Sequence, residues 1–447
     1  MIPASKVESD PHLLSTADGA SELADTAAVA LPPDKEQVEH PAEAIPPRRL
    51  RVGMWTPLPP APSGISDYAV ALIQALAQFI DITVYTIPTA DTSLFQGLPV
   101  EVRSYTDYRR DARAIDAHVY HMGNSAHYHT EIHDQLLREP GITVLHDLAL
   151  FGFYLYNLFY LGSRQQFYDE VSYQHGGAMV RQAGKYISGE LNTWLDIPMN
   201  RRVVESSQST IVHTQYGKDQ LKQRFPQADV HHIMHGARVL DDSAGADLRM
   251  KLGWRHDQLV IGVFGEISPH KRVHVLLEVL PKLLKQYPNA RLIVAGRDGP
   301  NNAYPQRIRQ MLRSRAIRDV VHYADQVPTP LLEQYIQAVD IAVNLRSPTT
   351  GEMSGILLRA LGAGKLVICS DVPQLAELPG SFVWKVPVDD RESSTLLDML
   401  TNAARNQDML RRNGAAARQF IATNATWELV AQRYLAVIEA VVQRSRK

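Results

Sequence analysis

The chain has 447 residues, of which 45% are hydrophobic and 21% charged, with a formal net charge of −2. These proportions fit a globular protein of two or three domains, and the balanced charge excludes a broadly basic nucleic-acid binder. The one cysteine, Cys369, excludes an internal disulfide and a four-cysteine zinc site.

Residues 1–47 hold nine acidic and two basic residues, no aromatic residue, and many Ala, Pro and Ser. Such a segment buries too little apolar surface to offset its ordering entropy, so 1–48 is expected to be a disordered acidic tail. It carries no signal-peptide pattern. The longest uncharged apolar run, 148–162, is shorter than the roughly 18–20 residues a membrane-spanning helix needs. A cytoplasmic address is expected, with peripheral contact at the inner face of the membrane as an option for the aromatic stretch.

Beyond the tail the pattern alternates. Apolar runs at 50–55, 81–87, 117–122, 142–147 and 210–214 read as strands, with helical spacing between them. A long aromatic-rich insertion, 148–204, reads as helical. The stretch 239–247 is polar and turn-rich and reads as a linker. A second series of strand-like runs follows at 259–265, 291–296, 320–325, 340–345, 365–370 and 381–386. Strands alternating with helices predict two α/β halves, each a parallel sheet covered on both faces, with ligands bound at the strand C-terminal ends. The expected division is 49–240, 241–424 and a final helix, 425–447, that can cross back onto the first half.

Four sequence features could carry chemistry. The loop after the first strand contains Ser63 and Gly64 before a helix; either its N–H groups meet an anion or Ser63 simply caps the helix. The segment Gly265 to Arg272 follows the first strand of the second half. Lys271 and Arg272 there are expected at a helix start, where cations are unfavourable unless an anion such as a diphosphate lies beside them. The segment Ser347 to Gly364 places Glu352 before a glycine-rich turn, and Ser354 and Gly355 at a helix start suited to phosphate oxygens. Lastly, histidines cluster at 121, 127, 129 and 133, without a recognised metal-ligand spacing. His146 closes the strand 142–147.

Taken in order, PPAPSGISDY (59–68), HMGNSAHYHTEI (121–132), GITVLHDLAL (141–150), VFGEISPHKR (263–272), LIVAG (292–296) and SPTTGEMSGILLRALGAGKLVICSDVPQLAELP (347–379) resemble a retaining glycosyltransferase of family 4, in a bacterial polysaccharide-type subgroup. The resemblance covers about 49–445. It implies an α/β fold of GT-B type, with two Rossmann-like domains facing a central cleft. It also implies transfer of a sugar from a nucleotide-sugar, UDP- or GDP-linked, to a hydroxyl of a glycan, lipid-linked or protein acceptor. The nucleotide-sugar is a substrate, so no cofactor and no metal is expected. By the same resemblance His146 and Glu352 are catalytic. Ser63, Gly64, Gly265, Lys271, Arg272, Ser354 and Gly355 bind the donor diphosphate. Asp67 and Asn124 are assigned to the acceptor.

Two positions depart from the family pattern. Glu266 stands where an arginine is common. Arg359 stands where a ribose-binding glutamate is expected and is assigned to the donor nucleoside. These departures keep two other readings open: a nucleotide-binding scaffold without catalysis, and a nucleotide-sugar epimerase of the same architecture. Oligomeric state is not readable from the sequence.

Overall fold

The computed structural model describes residues 48–108, 115–191, 193–299 and 303–446. The predicted acidic tail, 1–48, lies outside the described residues except for Arg48, which is exposed. The described residues from Arg49 onward form one compact unit.

The first sheet contains β1 Arg51–Trp55, β2 Asp81–Thr86, β3 Val100–Ser104, β4 Ala117–Met122, β5 Ile142–Leu145, β6 Ser209–Val212 and β7 Val230–His232. Its order is β3-β2-β1-β4-β5-β6-β7, and every pairing is parallel. The second contains β8 Val260–Phe264, β9 Arg291–Ala295, β10 Val321–Ala324, β11 Ile341–Asn344, β12 Leu366–Ser370 and β13 Val383–Val386. Its order is β10-β9-β8-β11-β12-β13, again all parallel. Each order reverses once, between β1 and β4 and between β8 and β11. Loops leaving the strand C-termini at such reversals diverge and leave room for a ligand.

The sequence reading missed β3 and β7. β3 (VEVRS) has no fully buried residue, and β7 (VHH) has three residues with a single buried one. Both are edge strands, whose burial pattern is too weak for alternation to reveal. The stretch read as a linker, 239–247, runs into the helix Ser243–Lys251.

Helices cover both faces of each sheet. On the first, helix Gly64–Leu76 buries Tyr68, Ala69, Leu72, Ile73 and Leu76 against β1 and β2. The last helix, Trp427–Ser445, returns to that layer through Val430, Tyr434, Val437, Ile438 and Val441. Apolar positions at i, i+4, i+7, i+8 and i+11 make one stripe on this helix, which is why it has a face to bury. Between the two helices the Tyr68 and Tyr434 hydroxyls share a buried hydrogen bond of 2.7 Å.

The insertion 148–204 is helical, with segments Phe151–Tyr154, Leu155–Tyr160, Arg164–His175, Gly177–Ile187 and Arg201–Glu205. Phe151, Phe153, Tyr154 and Phe167 are buried, and Phe151 stacks on Trp194 with ring centres 5.2 Å apart. Tyr156, Tyr160 and Leu161 remain exposed. Most of the aromatic density is therefore core. Among the described residues no helix is long and apolar enough to cross a membrane.

Removing one hydroxyl of the tyrosine pair strands the other in an apolar interior, at a cost of about 1–3 kcal/mol. Tyr434→Phe should lower stability by that amount in urea unfolding. Tyr68→Phe/Tyr434→Phe, which leaves no orphan, should cost less than the single change.

Candidate functional site

The loops at the C-terminal ends of β4, β5, β8 and β11 meet one another. From the second sheet, the loop after β11 begins with Arg346, which is 1% exposed although charged. Its backbone N–H donates to Ser370 Oγ, and its Nη2 donates to Asn344 Oδ1 at 2.9 Å. Its Nη1 donates to Glu352 Oε1 at 2.6 Å. Glu352 Oε2 accepts from Thr349 Oγ1 at 2.6 Å and from the Thr350 N–H at 3.0 Å. Burial opposes the charge on Glu352, but Arg346, Lys271 and the Thr349 hydroxyl outweigh it and hold the carboxyl down at about 2.

Lys271 ends a short 3-10 turn, Pro269–Lys271. Its ammonium makes no hydrogen bond to a described residue. Burial and the nearby Arg346 lower it to about 8, against the opposing pull of Glu352, Glu266 and Asp147. It therefore stays protonated at neutral pH, a cation without a fixed hydrogen-bond partner.

From the first sheet comes Asp147, just after β5. Its Oδ2 accepts from the Asn124 N–H at 2.8 Å. Thr350 Oγ1 lies 2.7 Å from Asp147 Oδ1 and 2.9 Å from Glu352 Oε2. A threonine hydroxyl has one proton, so it satisfies both contacts only when one carboxyl brings a proton of its own. Arg346 and Lys271 keep Glu352 ionised, so the proton in this arrangement belongs to Asp147, which burial and the charge of Glu352 push up to about 6 and which therefore holds it below that pH. Thr350 thus joins the two sheets through its side chain. Its carbonyl does so again, accepting from the Ala149 N–H at 3.2 Å. Gly351, at φ +83, allows this approach, since a Cβ there would sit 2.7 Å from Leu148.

The predicted residues fall into four groups. Lys271 and Glu352 come together, with Ser354 and Gly355 starting the adjoining helix Gly355–Gly362. Ser354 Oγ accepts from the Leu357 N–H and caps that helix. Gly265 takes φ +100, and its carbonyl packs so tightly under Gly296 that a Cβ there would lie 1.6 Å away. The paired glycines bring the loop after β8 down onto the end of β9.

A second group is engaged elsewhere. Arg272 was expected beside Lys271 at the start of the helix. It instead sits at φ 51 between the 3-10 turn and the helix Val273–Gln286, and its guanidinium grips the Glu392 carboxylate. The second positive charge beside Glu352 is Arg346. Asn124 brackets the backbone: its N–H binds Asp147 and its Oδ1 accepts from the Phe153 N–H. Ser63 caps the helix Gly64–Leu76 by accepting from the Ile65 N–H at 3.2 Å, and a Cβ at the exposed Gly64 would touch nothing. Glu266, where an arginine was expected, pairs with Arg297 at 2.8 Å.

The third group spans the sheets. Arg359, on helix Gly355–Gly362, lies 3.7 Å from Asp67 on helix Gly64–Leu76. Burial raises the Asp67 carboxyl, and Arg359 opposes the shift.

His146 lies at the centre of an imidazole cluster. Its Nε2 is 3.0 Å from His121 Nδ1, and its Nδ1 is 3.2 Å from His213 Nε2. Tyr68 touches His121, His146, His213 and His235, with ring centres 4.7 to 5.9 Å apart. Burial lowers His121 and His235 to about 3, and His129 and His213 to about 4. Among the described residues no group of three His, Cys, Asp or Glu could hold a metal ion.

Sequence reasoning overlooked Arg346, Asp147, Thr350, His213 and His235. Arg346 and Asp147 had a signal available, since each directly follows an apolar strand at the edge where sites form. Thr350 and the two histidines had none, because their roles depend on contacts between distant segments.

The Asp147 proton has a measurable sign. A raised carboxyl lends stability that is fully present below its unfolded value of 3.8 and is lost as pH rises through about 6. Asp147→Asn removes that loss. Between pH 5 and pH 7.5 the variant should gain about 1–2 kcal/mol on the wild type in urea unfolding. Parallel pH dependences for the two proteins would contradict the assignment.

Comparison with known proteins bears on the fold and on the second half of the chain. Residues 246–420 match the family model described as glycosyl transferases group 1. The chain is 29% identical over 228 residues to a phosphatidyl-myo-inositol mannosyltransferase of Mycobacterium tuberculosis, covering 49% of this chain and 56% of that one. It is 26% identical over 208 residues to a D-inositol 3-phosphate glycosyltransferase of Kribbella flavida, covering 45% of this chain and 48% of that one. The chain thus spans about half the length of the curated relatives it matches. Among solved structures, the Anabaena protein HepE in complex with UDP-glucose superposes with a TM-score of 0.63 at 14% identity, over 88% of this chain and 100% of that one. Sucrose-phosphate synthase from Thermosynechococcus elongatus superposes at 0.61 and 15% identity, over 89% and 100%. The chain has the GT-B fold, and its second half carries the sequence pattern of glycosyl transferases group 1.

Proposed function

We propose that the chain is a retaining glycosyltransferase that moves a sugar from a UDP- or GDP-sugar to an acceptor hydroxyl in glycoconjugate or polysaccharide synthesis. The observation that carries the proposal is the Lys271 ammonium, without a hydrogen-bond partner among the described residues, near Arg346 and the Glu352 that precedes helix Gly355–Gly362. Three cations, Lys271, Arg346 and the Arg297 that pairs with Glu266, and a helix N-terminus there face the ionised Glu352 and Glu266, with Asp147 raised to about 6. That imbalance suits the extra negative charge of a diphosphate. The group 1 match and the relatives named as glycosyltransferases support the same reading.

In the reaction, the bond from the anomeric carbon to the diphosphate oxygen breaks. The acceptor oxygen bonds to the same face, and its proton passes to a leaving phosphate oxygen. Negative charge grows on the diphosphate as the sugar becomes oxocarbenium-like, and Lys271 and the helix N-terminus stabilise it. These fixed charges stand in for a divalent ion. Glu352 is a poor nucleophile, because both its oxygens already accept hydrogen bonds. This argues against a covalent glycosyl-enzyme intermediate. Its place beside Lys271 suits it to receive sugar hydroxyls. The contact between Asp147, Thr350 and Glu352 draws the two sheets together and limits the entry of water to the donor.

The test is nucleotide release from a panel of UDP-, GDP- and ADP-sugars in the presence of EDTA, with and without candidate acceptors. One donor should be consumed, and Lys271→Ala should slow its turnover by about 100-fold or more. Nucleotide binding without turnover of any donor would favour the scaffold reading. Conversion of the donor sugar to its epimer without an acceptor would favour the epimerase.

A further inference from the structure

The imidazole cluster fixes its own protons. His213 Nδ1 lies 3.0 Å from the Ile233 carbonyl oxygen, which can only accept, so this nitrogen carries the hydrogen. In a neutral ring His213 Nε2 is then a bare lone pair. The partner at 3.2 Å, His146 Nδ1, must donate to it. His146 Nε2 becomes the acceptor, and His121 Nδ1, at 3.0 Å, donates. His121 Nε2 is left as a lone pair, buried and without a hydrogen-bond partner. One backbone carbonyl therefore sets the tautomer of three successive rings.

We propose that His213 and His121 are positioning residues that hold His146 uncharged, as its Nδ1–H tautomer, just after β5 and next to Asp147 of the candidate donor site. The inference rests on the donor-site reading above for the meaning of that position. The chain of hydrogen bonds itself does not depend on it.

The titratable groups facing His146 are His121 from β4, His129 from helix Ala126–Arg138, His213 after β6, His235 after β7 and Tyr68 from helix Gly64–Leu76. Each neighbouring imidazole, if charged, would repel a proton on His146. Desolvation acts in the same direction and keeps the ring well below its ordinary value. Both nitrogens are already engaged, so His146 has no free N–H to offer and cannot act as a proton donor while the chain is intact. The cluster thereby adds no positive charge of its own to that of Lys271, Arg346 and Arg359.

The experiment is nitrogen-15 NMR of the full chain with labelled histidine, the His146 signals being assigned by their loss in His146→Gln. Between pH 5.5 and 8 the wild type should show a neutral Nδ1–H ring at His146 with no titration. His213→Leu keeps the bulk but removes the acceptor. It should release His146 to titrate near pH 6 or to exchange tautomers. His213→Gln, whose carbonyl can accept from His146 Nδ1, should restore the fixed tautomer, which loss of packing alone would not explain. A His146 ring that titrates normally in the wild type, an Nε2–H tautomer, or signals unchanged in His213→Leu would overturn the proposal. The readout needs no turnover. Failure of every nucleotide-sugar to react would sink the proposed function and leave this inference to stand or fall by the spectra.

Discussion

At the candidate site the two sheets meet through one shared hydroxyl. Asp147 belongs to the first sheet and Glu352 to the second, and the Thr350 hydroxyl touches both. Two ionised carboxylates could not share that hydroxyl. The arrangement therefore requires one acid and one base, and the surroundings choose between them. Arg346 and Lys271 keep Glu352 charged, while desolvation raises Asp147 to about 6, so that Asp147 is the group that takes the proton as pH falls. A buried charge pair is weak evidence for stability, because desolvation consumes much of the attraction. The sequence still spends a fully buried arginine on Glu352. That expense makes sense where charge must be held in place before a ligand arrives.

The rest of the molecule supports those few atoms. Parallel strands deliver Asp147, Lys271 and Arg346 from the same edge of each sheet. Glycines let backbone pass where side chains would collide, Gly265 under Gly296 and Gly351 under Leu148. The C-terminal helix crosses back to the first sheet and closes over Tyr68, whose ring holds four histidines together from behind. Packing, loop geometry and electrostatics thus converge on one interface.

Much of this was legible in the sequence. Eleven apolar runs predicted strands, and two parallel sheets followed from their alternation with helices. Lys271 and Glu352 stood out because their neighbours, Gly265 and Gly355, announce turns at strand ends. Arg272 misled for a physical reason. Adjacency in sequence implies adjacency in space only when the backbone continues regularly, and the left-handed residue at 272 turns its side chain to Glu392. Arg359 and Asp67, read separately as donor and acceptor residues, proved to be neighbours across the sheets. Partners 203 residues apart, such as Asp147 and Thr350, leave no periodic or local trace.

The central claim is that the charge imbalance around Lys271 receives a nucleoside diphosphate. The most direct measurement is a crystal structure of the protein with UDP or GDP bound. The account predicts phosphate oxygens within hydrogen-bond distance of Lys271 Nζ and of the first N–H groups of helix Gly355–Gly362. A nucleotide bound away from these groups, with Lys271 left unpaired, would contradict it.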